Sequence, residues 1–234
     1  MKIEIWSDIV CPFCYIGKRR FEEALQAFEH KDQLQIEWKS FQLNPNTITD
    51  TETNVYQNLA NHKGIGVDQA RQMSDQVTQV AKEVGLSYDF DKAVVANTHR
   101  AHQMLHFAKT QNLQNETKER LLKAYFTEGI NIDAIDSLIE LGNEIGLDTA
   151  KLKAALDSGQ YAEAVRQDIY EAQQLRIQGV PFFVLNRKYG VSGAQQVDAF
   201  TQTMNKSHSE WVAENNPTDL QTIQGDSCDV DGNC

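Results

Sequence analysis

Cys11-Pro12-Phe13-Cys14 lies near the amino end of a 234-residue chain, directly after Ile3-Glu4-Ile5-Trp6. Two cysteines separated by two residues, between a strand pattern and a helix pattern, make a dithiol that can open and close as a disulfide. A thiol at a helix N-terminus feels the positive end of the helix dipole and nearby free N–H groups. Both favour the thiolate, the reactive species. Gly17-Lys18-Arg19-Arg20 leads into Phe21, Leu25 and Phe28, an apolar stripe at helical spacing with charges opposite. Cys11 meets the helix end first. It is expected to be the accessible, low-pKa thiol, with Cys14 shielded. The same spacing serves as half a zinc site, but a structural zinc wants two more ligands at recognisable spacing. The other cysteines, Cys228 and Cys234, are over 200 residues away.

The elements that position this pair follow from periodicity. Residues 3–7 read as a strand and 16–30 as the helix after the dithiol. Residues 33–41 read as a second strand, with Leu34, Ile36 and Trp38 on one buried face. Parallel strands joined by a crossing helix make a βαβ unit. From Thr49 to about Gly159 there is almost no strand signal. Ala70, Met73, Val77, Val80, Ala81 and Val84 form a helical stripe ended by Gly85. Further helices are expected over 98–109, 116–128, 135–145 with Gly146 as C-cap, and 149–156. A helix over 161–178 runs back to strand territory. Val180-Pro181-Phe182-Phe183-Val184-Leu185 reads as a buried strand whose proline takes the first position, where a sheet tolerates it. Asn186-Arg187-Lys188 turns it into Tyr189-Gly190-Val191, and a final helix covers 194–207. The order βαβ, helical block, αββα predicts an α/β fold. Residues 1–48 and 160–214 would form one small sheet with helices on both faces. Residues 49–159 would be a helical insertion, and 215–234 a flexible C-terminal tail with a second cysteine pair.

Bulk properties narrow the function. A formal charge of −11 argues against nucleic acid and against an anionic membrane surface. No stretch approaches the ~20 apolar residues that span a bilayer. Met1-Lys2-Ile3-Glu4 carries no apolar leader run, so a cytoplasmic location is expected. In that compartment disulfides are usually transient and catalytic.

The motifs, taken in order, resemble the DsbA-like thiol oxidoreductases of the FrnE type, within the thioredoxin superfamily. They are Ser7-Asp8 before Cys11-Pro12-Phe13-Cys14-Tyr15 and Gly17-Lys18, then Phe41-Gln42-Leu43-Asn44-Pro45, then Asn97-Thr98 with Ala101-His102. Ala124-Tyr125-Phe126, Gly179-Val180-Pro181-Phe182-Phe183-Val184 and Gly190-Val191-Ser192-Gly193-Ala194-Gln195 complete them. The resemblance implies a thioredoxin fold interrupted by an all-helical insertion. It implies Cys11 as attacking and Cys14 as resolving cysteine. Pro181 would be a cis proline facing the dithiol. Val180 would lend backbone hydrogen bonds to a bound peptide, with Pro12 and Phe13 completing the substrate-binding surface. No cofactor is implied. The expected partners are protein or peptide thiols and disulfides, with glutathione or a thioredoxin-like reductant as electron source. A related branch, the glutathione-dependent chromene-carboxylate isomerases and kappa-class transferases, shares the fold but tends to lack the paired resolving thiol. Cys14 counts against it. A non-enzymatic redox-sensing or chaperone-like binding module is the remaining alternative.

Other groups in the sequence carry a functional reading beside a plainer one. Glu4 and Asp8 are candidates for a proton relay to the resolving cysteine, Asp8 alternatively for a helix cap. Cys228 and Cys234 can close a small loop and exchange with the catalytic pair. Asp229, Asp231, Gly232 and Asn233 resemble half a calcium loop but lack its register and closing glutamate. His99, His102 and His106 share a helical face without a visible partner carboxylate. They read as ordinary helix histidines, one of which could face the active site. Phe13 stands where periplasmic oxidants of the superfamily carry a histidine, and it cannot donate to a thiolate. Phe13→His is therefore expected to make the protein a stronger oxidant, measured as the equilibrium redox potential.

Overall fold

The computed structural model describes residues 1–215. Strand β1 (Lys2–Ser7) leads into helix α1 (Pro12–Ala27), which crosses to strand β2 (Gln35–Ser40). Pro12 at the start of α1 gives up an N–H that the first turn leaves unbonded anyway. β1 and β2 pair in parallel, Ile3 opposite Ile36 and Ile5 opposite Trp38. A short ribbon of β3 (Asp50–Asn54) and β4 (Val94–Val95) brackets α2 (Val55–Lys63) and α3 (Val67–Glu83). Then come α4 (His99–Lys109), α5 (Gln114–Lys123), α6 (Ile135–Glu144), α7 (Thr149–Ser158) and α8 (Ala162–Gln174). Strands β5 (Phe182–Leu185) and β6 (Tyr189–Ser192) and helix α9 (Val197–Asn215) close the chain. The main sheet runs β2-β1-β5-β6, with β5 antiparallel to β1 and β6. This is the thioredoxin architecture with a helical insertion.

Period-two alternation of β1 divides the sheet into two faces. Ile3 and Ile5 pack with Phe21, Phe183, Phe200 and Met204 under α1 and α9. Trp6 turns the other way, against Ala172 and Val184, and its indole N–H donates to the Asp168 carbonyl of α8 at 2.9 Å. The third core belongs to the insertion but includes Ile9, Tyr15 and Ile16 from the active-site turn and α1. The insertion therefore packs on the dithiol segment directly.

Several elements depart from the expected bounds. The helical block also contains the β3–β4 ribbon and α2, where no strong apolar period marks either. The helix expected over 116–128 is α5 followed by a turn of π-helix, Ala124–Glu128. The last helix runs on to Asn215, past the expected end at 207, with His208 buried and Trp211 packed against the core there. Cys228 and Cys234 lie outside the described residues. Among those residues, no helix is long and apolar enough to cross a membrane.

Helix α5 is held to α1 by Glu119. Its carboxylate accepts from Lys18 Nζ at 2.7 Å, from Tyr15 Oη at 2.5 Å and from the Arg19 guanidinium. Burial opposes its ionisation, but these donors win and hold it at about 2. A carboxylate depressed in the folded state stabilises the fold above its unfolded pKa, and that contribution is lost as pH falls through the folded value. Glu119→Gln is therefore expected to cost ~1 kcal/mol at neutral pH, as for a partly exposed pair. It should also flatten the loss of stability between about pH 4.5 and pH 2, followed by urea unfolding at each pH.

Candidate active site

The dithiol sits where α1 begins. Cys11 is the N-cap residue, and no side chain bonds the first-turn N–H groups there, so the positive end of the helix is left for the sulfur. Both cysteines are free thiols. Both cysteines are buried, Cys14 wholly and Cys11 with 4% of its residue surface exposed, so the less covered residue is the one expected to attack. Cys11 Sγ donates to the Val180 carbonyl at 3.4 Å. The Val180–Pro181 peptide is cis, and the Pro181 carbonyl accepts from Gly193 N at 2.8 Å. The structure thus brings Cys11, Cys14, Val180 and Pro181 together. Phe13 projects beside them with 44% of its surface exposed, and Leu43 is exposed nearby.

The two thiols are shifted in opposite directions, the reverse of the sequence expectation. The neighbouring Cys14 side chain together with burial pushes the Cys11 thiol well up. Burial also opposes charge on Cys14. That effect is outweighed by the Cys11 donor, the Lys118 charge, the Ser7 hydroxyl and the Asp8 N–H, so Cys14 is lowered. The Ser7 hydroxyl is buried without a hydrogen-bond partner. Of these groups Ser7 and Asp8 belong to the same strand and turn, and Lys118 is a tertiary neighbour that the helix end does not supply.

Asp8 is fully buried in the turn before the dithiol. It does not cap α1. Its carboxylate accepts from Ile9 N and from Leu43 N, both at 2.8 Å, and lies 3.3 Å from His102 Nε2. Asp8 thus joins the turn to the loop after β2 and to α4. His102 is wholly buried, and burial keeps its imidazole lowered despite Asp8. His106 instead meets Asp168 at 3.0 Å and Ser40 Oγ at 3.2 Å, so the histidines of α4 serve separate partners.

Glu4 is not part of this site. Its side chain points to the α8 face of β1 and pairs with Arg187 and with Lys2 Nζ at 3.1 Å. Three residues of strand also separate it from Ser7, about 10 Å at the usual rise. Asp8 remains as the carboxylate beside the sulfurs.

Sequence reasoning passed over three participants. Tyr88, from the segment between α3 and α4, donates to the Pro12 carbonyl at 2.7 Å and stacks on Phe126 at 4.5 Å. Lys118 of α5 is wholly buried, its ammonium 5.5 Å from the Trp38 ring. Its signal was a lysine placed three and four residues before Leu121 and Leu122, inside the apolar stripe. Gly17 is the third. A Cβ there would lie 2.9 Å from Pro181 Cγ and 3.5 Å from Ala194 Cα. Only a glycine lets α1 pass this close beneath the Pro181 loop.

Residues 2–205 match the DSBA-like thioredoxin domain family. The chain belongs to that family. It is 36% identical to a probable DsbA oxidoreductase from Streptomyces coelicolor and superposes on its crystal structure with a TM-score of 0.83, covering 99% of this chain and 97% of that one. An uncharacterised Bacillus subtilis protein, YwbO, is 32% identical over 206 residues, 86% of this chain and 94% of that protein. The fold is shared with DsbM, a cytosolic disulfide reductase from Pseudomonas aeruginosa, at 16% identity and a TM-score of 0.65, over 90% of this chain and 100% of that one. Family membership makes the protein a thiol–disulfide oxidoreductase.

Gly17→Val offers a test of the site's packing. Overfilling this contact is expected to cost about 1–3 kcal/mol. It should also slow insulin reduction by displacing the Pro181 loop from Cys11. Urea unfolding and turnover together check the result.

Proposed function

We propose that the protein is a cytoplasmic dithiol–disulfide oxidoreductase and isomerase of the FrnE type, acting on protein or peptide thiols and disulfides through Cys11-Pro12-Phe13-Cys14. The observation that carries this reading is the unequal exposure of the pair beside the Val180 backbone. Cys11 keeps 4% of its residue surface exposed and Cys14 none, and the Val180 carbonyl lies 3.4 Å from Cys11 Sγ. A peptide lying along Val180 would present its disulfide to Cys11, with Phe13 and Leu43 as apolar footing. The cytosolic disulfide reductase that shares the fold supports the location, and its structure with GSH supports glutathione as an electron source.

The chemistry follows from the placement of the two thiols side by side at the start of α1. When the proton of Cys11 passes to Cys14, the Cys11 thiolate attacks one sulfur of the substrate disulfide. That S–S bond breaks, a mixed disulfide forms, and the substrate's other sulfur leaves as a thiolate that takes a proton. Cys14 then gives up its proton, for which Asp8 is the carboxylate in place, and attacks Cys11 Sγ. The mixed disulfide breaks, the Cys11–Cys14 bond forms, and the second substrate thiol departs. Two electrons pass from enzyme to substrate, which is reduced while the enzyme is oxidised. The same steps reversed oxidise a dithiol, and release before resolution isomerises.

Cys14→Ser is expected to accumulate a mixed disulfide on Cys11 when the protein meets oxidised insulin, visible as a mass adduct that dithiothreitol removes. Cys11→Ser should form no adduct and lose insulin reduction. Unchanged turnover of a small glutathione-dependent isomerase substrate by Cys14→Ser, with no adduct on protein, would instead support the glutathione-using reading.

A further inference from the structure

We propose that Lys118, carried by the helical insertion, is the positioning charge of the dithiol: its buried ammonium balances the thiolate held between Cys11 and Cys14 and biases the pair towards the reduced state. The inference rests on the dithiol reading above and assigns a function to the insertion within it.

The first argument is the placement of α5. Gln114 takes the free edge of β2, accepting from Trp38 N at 3.0 Å and donating to Trp38 O at 2.9 Å. Asn115 accepts from the Trp38 indole at 3.0 Å. Glu119 fastens the other side of α5 to Lys18 and Arg19 of α1. The helix is thus wedged between β2 and α1. Lys118, one turn beyond Gln114, projects from the same face into the space beneath the active-site turn.

The second argument is charge. A buried ammonium costs several kcal/mol unless something compensates it. Lys18, also buried, has Glu22 at 2.5 Å and Glu119 at 2.7 Å. Among the described residues, no carboxylate oxygen comes within 4.0 Å of the Lys118 ammonium. The negative groups facing it are Cys14, Asp8 and Cys11. Burial lowers Lys118 to about 8, with these groups opposing the fall, so it still carries its charge at neutral pH.

The other groups around the pair do not duplicate this role. His102 of α4 is held neutral by burial. Tyr88 and Tyr125 are raised by burial and remain neutral phenols. Asp8 raises Cys11 rather than lowering it. Among the described residues, Lys118 is left as the buried cation facing the pair with no carboxylate in contact. Formation of the Cys11–Cys14 disulfide removes the negative charge of the thiolate, so Lys118 is better compensated in the reduced protein than in the oxidised one.

Lys118→Met tests this, since methionine keeps an unbranched stem against Trp38 and removes the charge. In the reduced protein, the thiolate absorbance at 240 nm should titrate at a pH about one unit higher. The equilibrium with a glutathione buffer should shift about tenfold towards the disulfide, the factor that one pKa unit represents. Urea midpoints of both redox forms supply a readout that a merely structural lysine would not move: the oxidised form should gain stability relative to the reduced one. Lys118→Arg should restore most of the wild-type equilibrium. If Lys118→Met fails to fold, Lys118→Gln compared with Lys118→Arg supplies the same measure. A folded charge-removing variant with an unchanged glutathione equilibrium, or one that alters both redox forms equally, overturns the assignment while wild-type insulin reduction still stands. Wild-type protein that forms no Cys11–Cys14 disulfide in any glutathione buffer overturns both the assignment and the proposed function.

Discussion

A dithiol that works by attack must show one sulfur to solvent while its charge stays in a medium that disfavours charge. Burying a thiolate removes the water that would stabilise it, and the protein must replace that water with fixed donors. The architecture around Cys11 and Cys14 answers this requirement. The helix end and the Val180 carbonyl, which accepts from Cys11 Sγ, are the fixed dipoles at the pair. The Pro181 loop closes the front and α1 passes beneath it at Gly17. The insertion closes the back. Its core includes Ile9, Tyr15 and Ile16, so the site cannot be assembled by the thioredoxin-like portion alone.

Asp8 shows how the parts are joined. A buried carboxylate is tolerated when its oxygens are satisfied. Here the donors come from its own turn, from the loop after β2, and from α4. Moving any of these segments would leave a buried charge without its partner. Tyr88 acts similarly through the Pro12 carbonyl, which fixes the turn between the cysteines from outside the sheet. The insertion is therefore tied to the dithiol by polar bonds as well as by apolar contact.

The far side of the sheet carries a different set of buried charges. Glu37 lies between Lys2, Lys39 and Lys109, Asp168 between Lys39 and His106, and Glu4 between Lys2 and Arg187. Arg187 sits in the turn from β5 to β6 at φ 56°, and its side chain reaches both Glu4 and Glu171. These pairs make the β1–β5 register expensive to break, although each adds little net stability when intact. They also explain why a carboxylate only a few residues before the dithiol takes no part in its chemistry.

The sequence by itself determined the redox centre and the order of elements. Cys-x-x-Cys between a strand period and a helix period, followed at a distance by Gly179-Val180-Pro181, is a local pattern, and local patterns survive without knowledge of packing. The alternation in β1 likewise made one face of the strand core, as Ile3 and Ile5 show. What sequence alone could not decide was which side chains meet across the fold. Glu4 and Asp8 looked alike as acids upstream of the pair, yet strand alternation sends one to Arg187 while the turn brings the other to His102. His102 and His106 share a helix face in sequence but find different carboxylates, because α4 crosses both the active-site turn and β2. Tyr88 and Lys118 are far from the dithiol in sequence and carry no motif, and only packing makes them its neighbours; Gly17 stands in the motif, but its contact with Pro181 is likewise made by packing. The opposite shifts of the two thiols belong to the same class. A helix end is a local feature that favours Cys11, whereas burial and the Lys118 charge facing Cys14 are tertiary, and in a low-dielectric interior the tertiary contribution prevails.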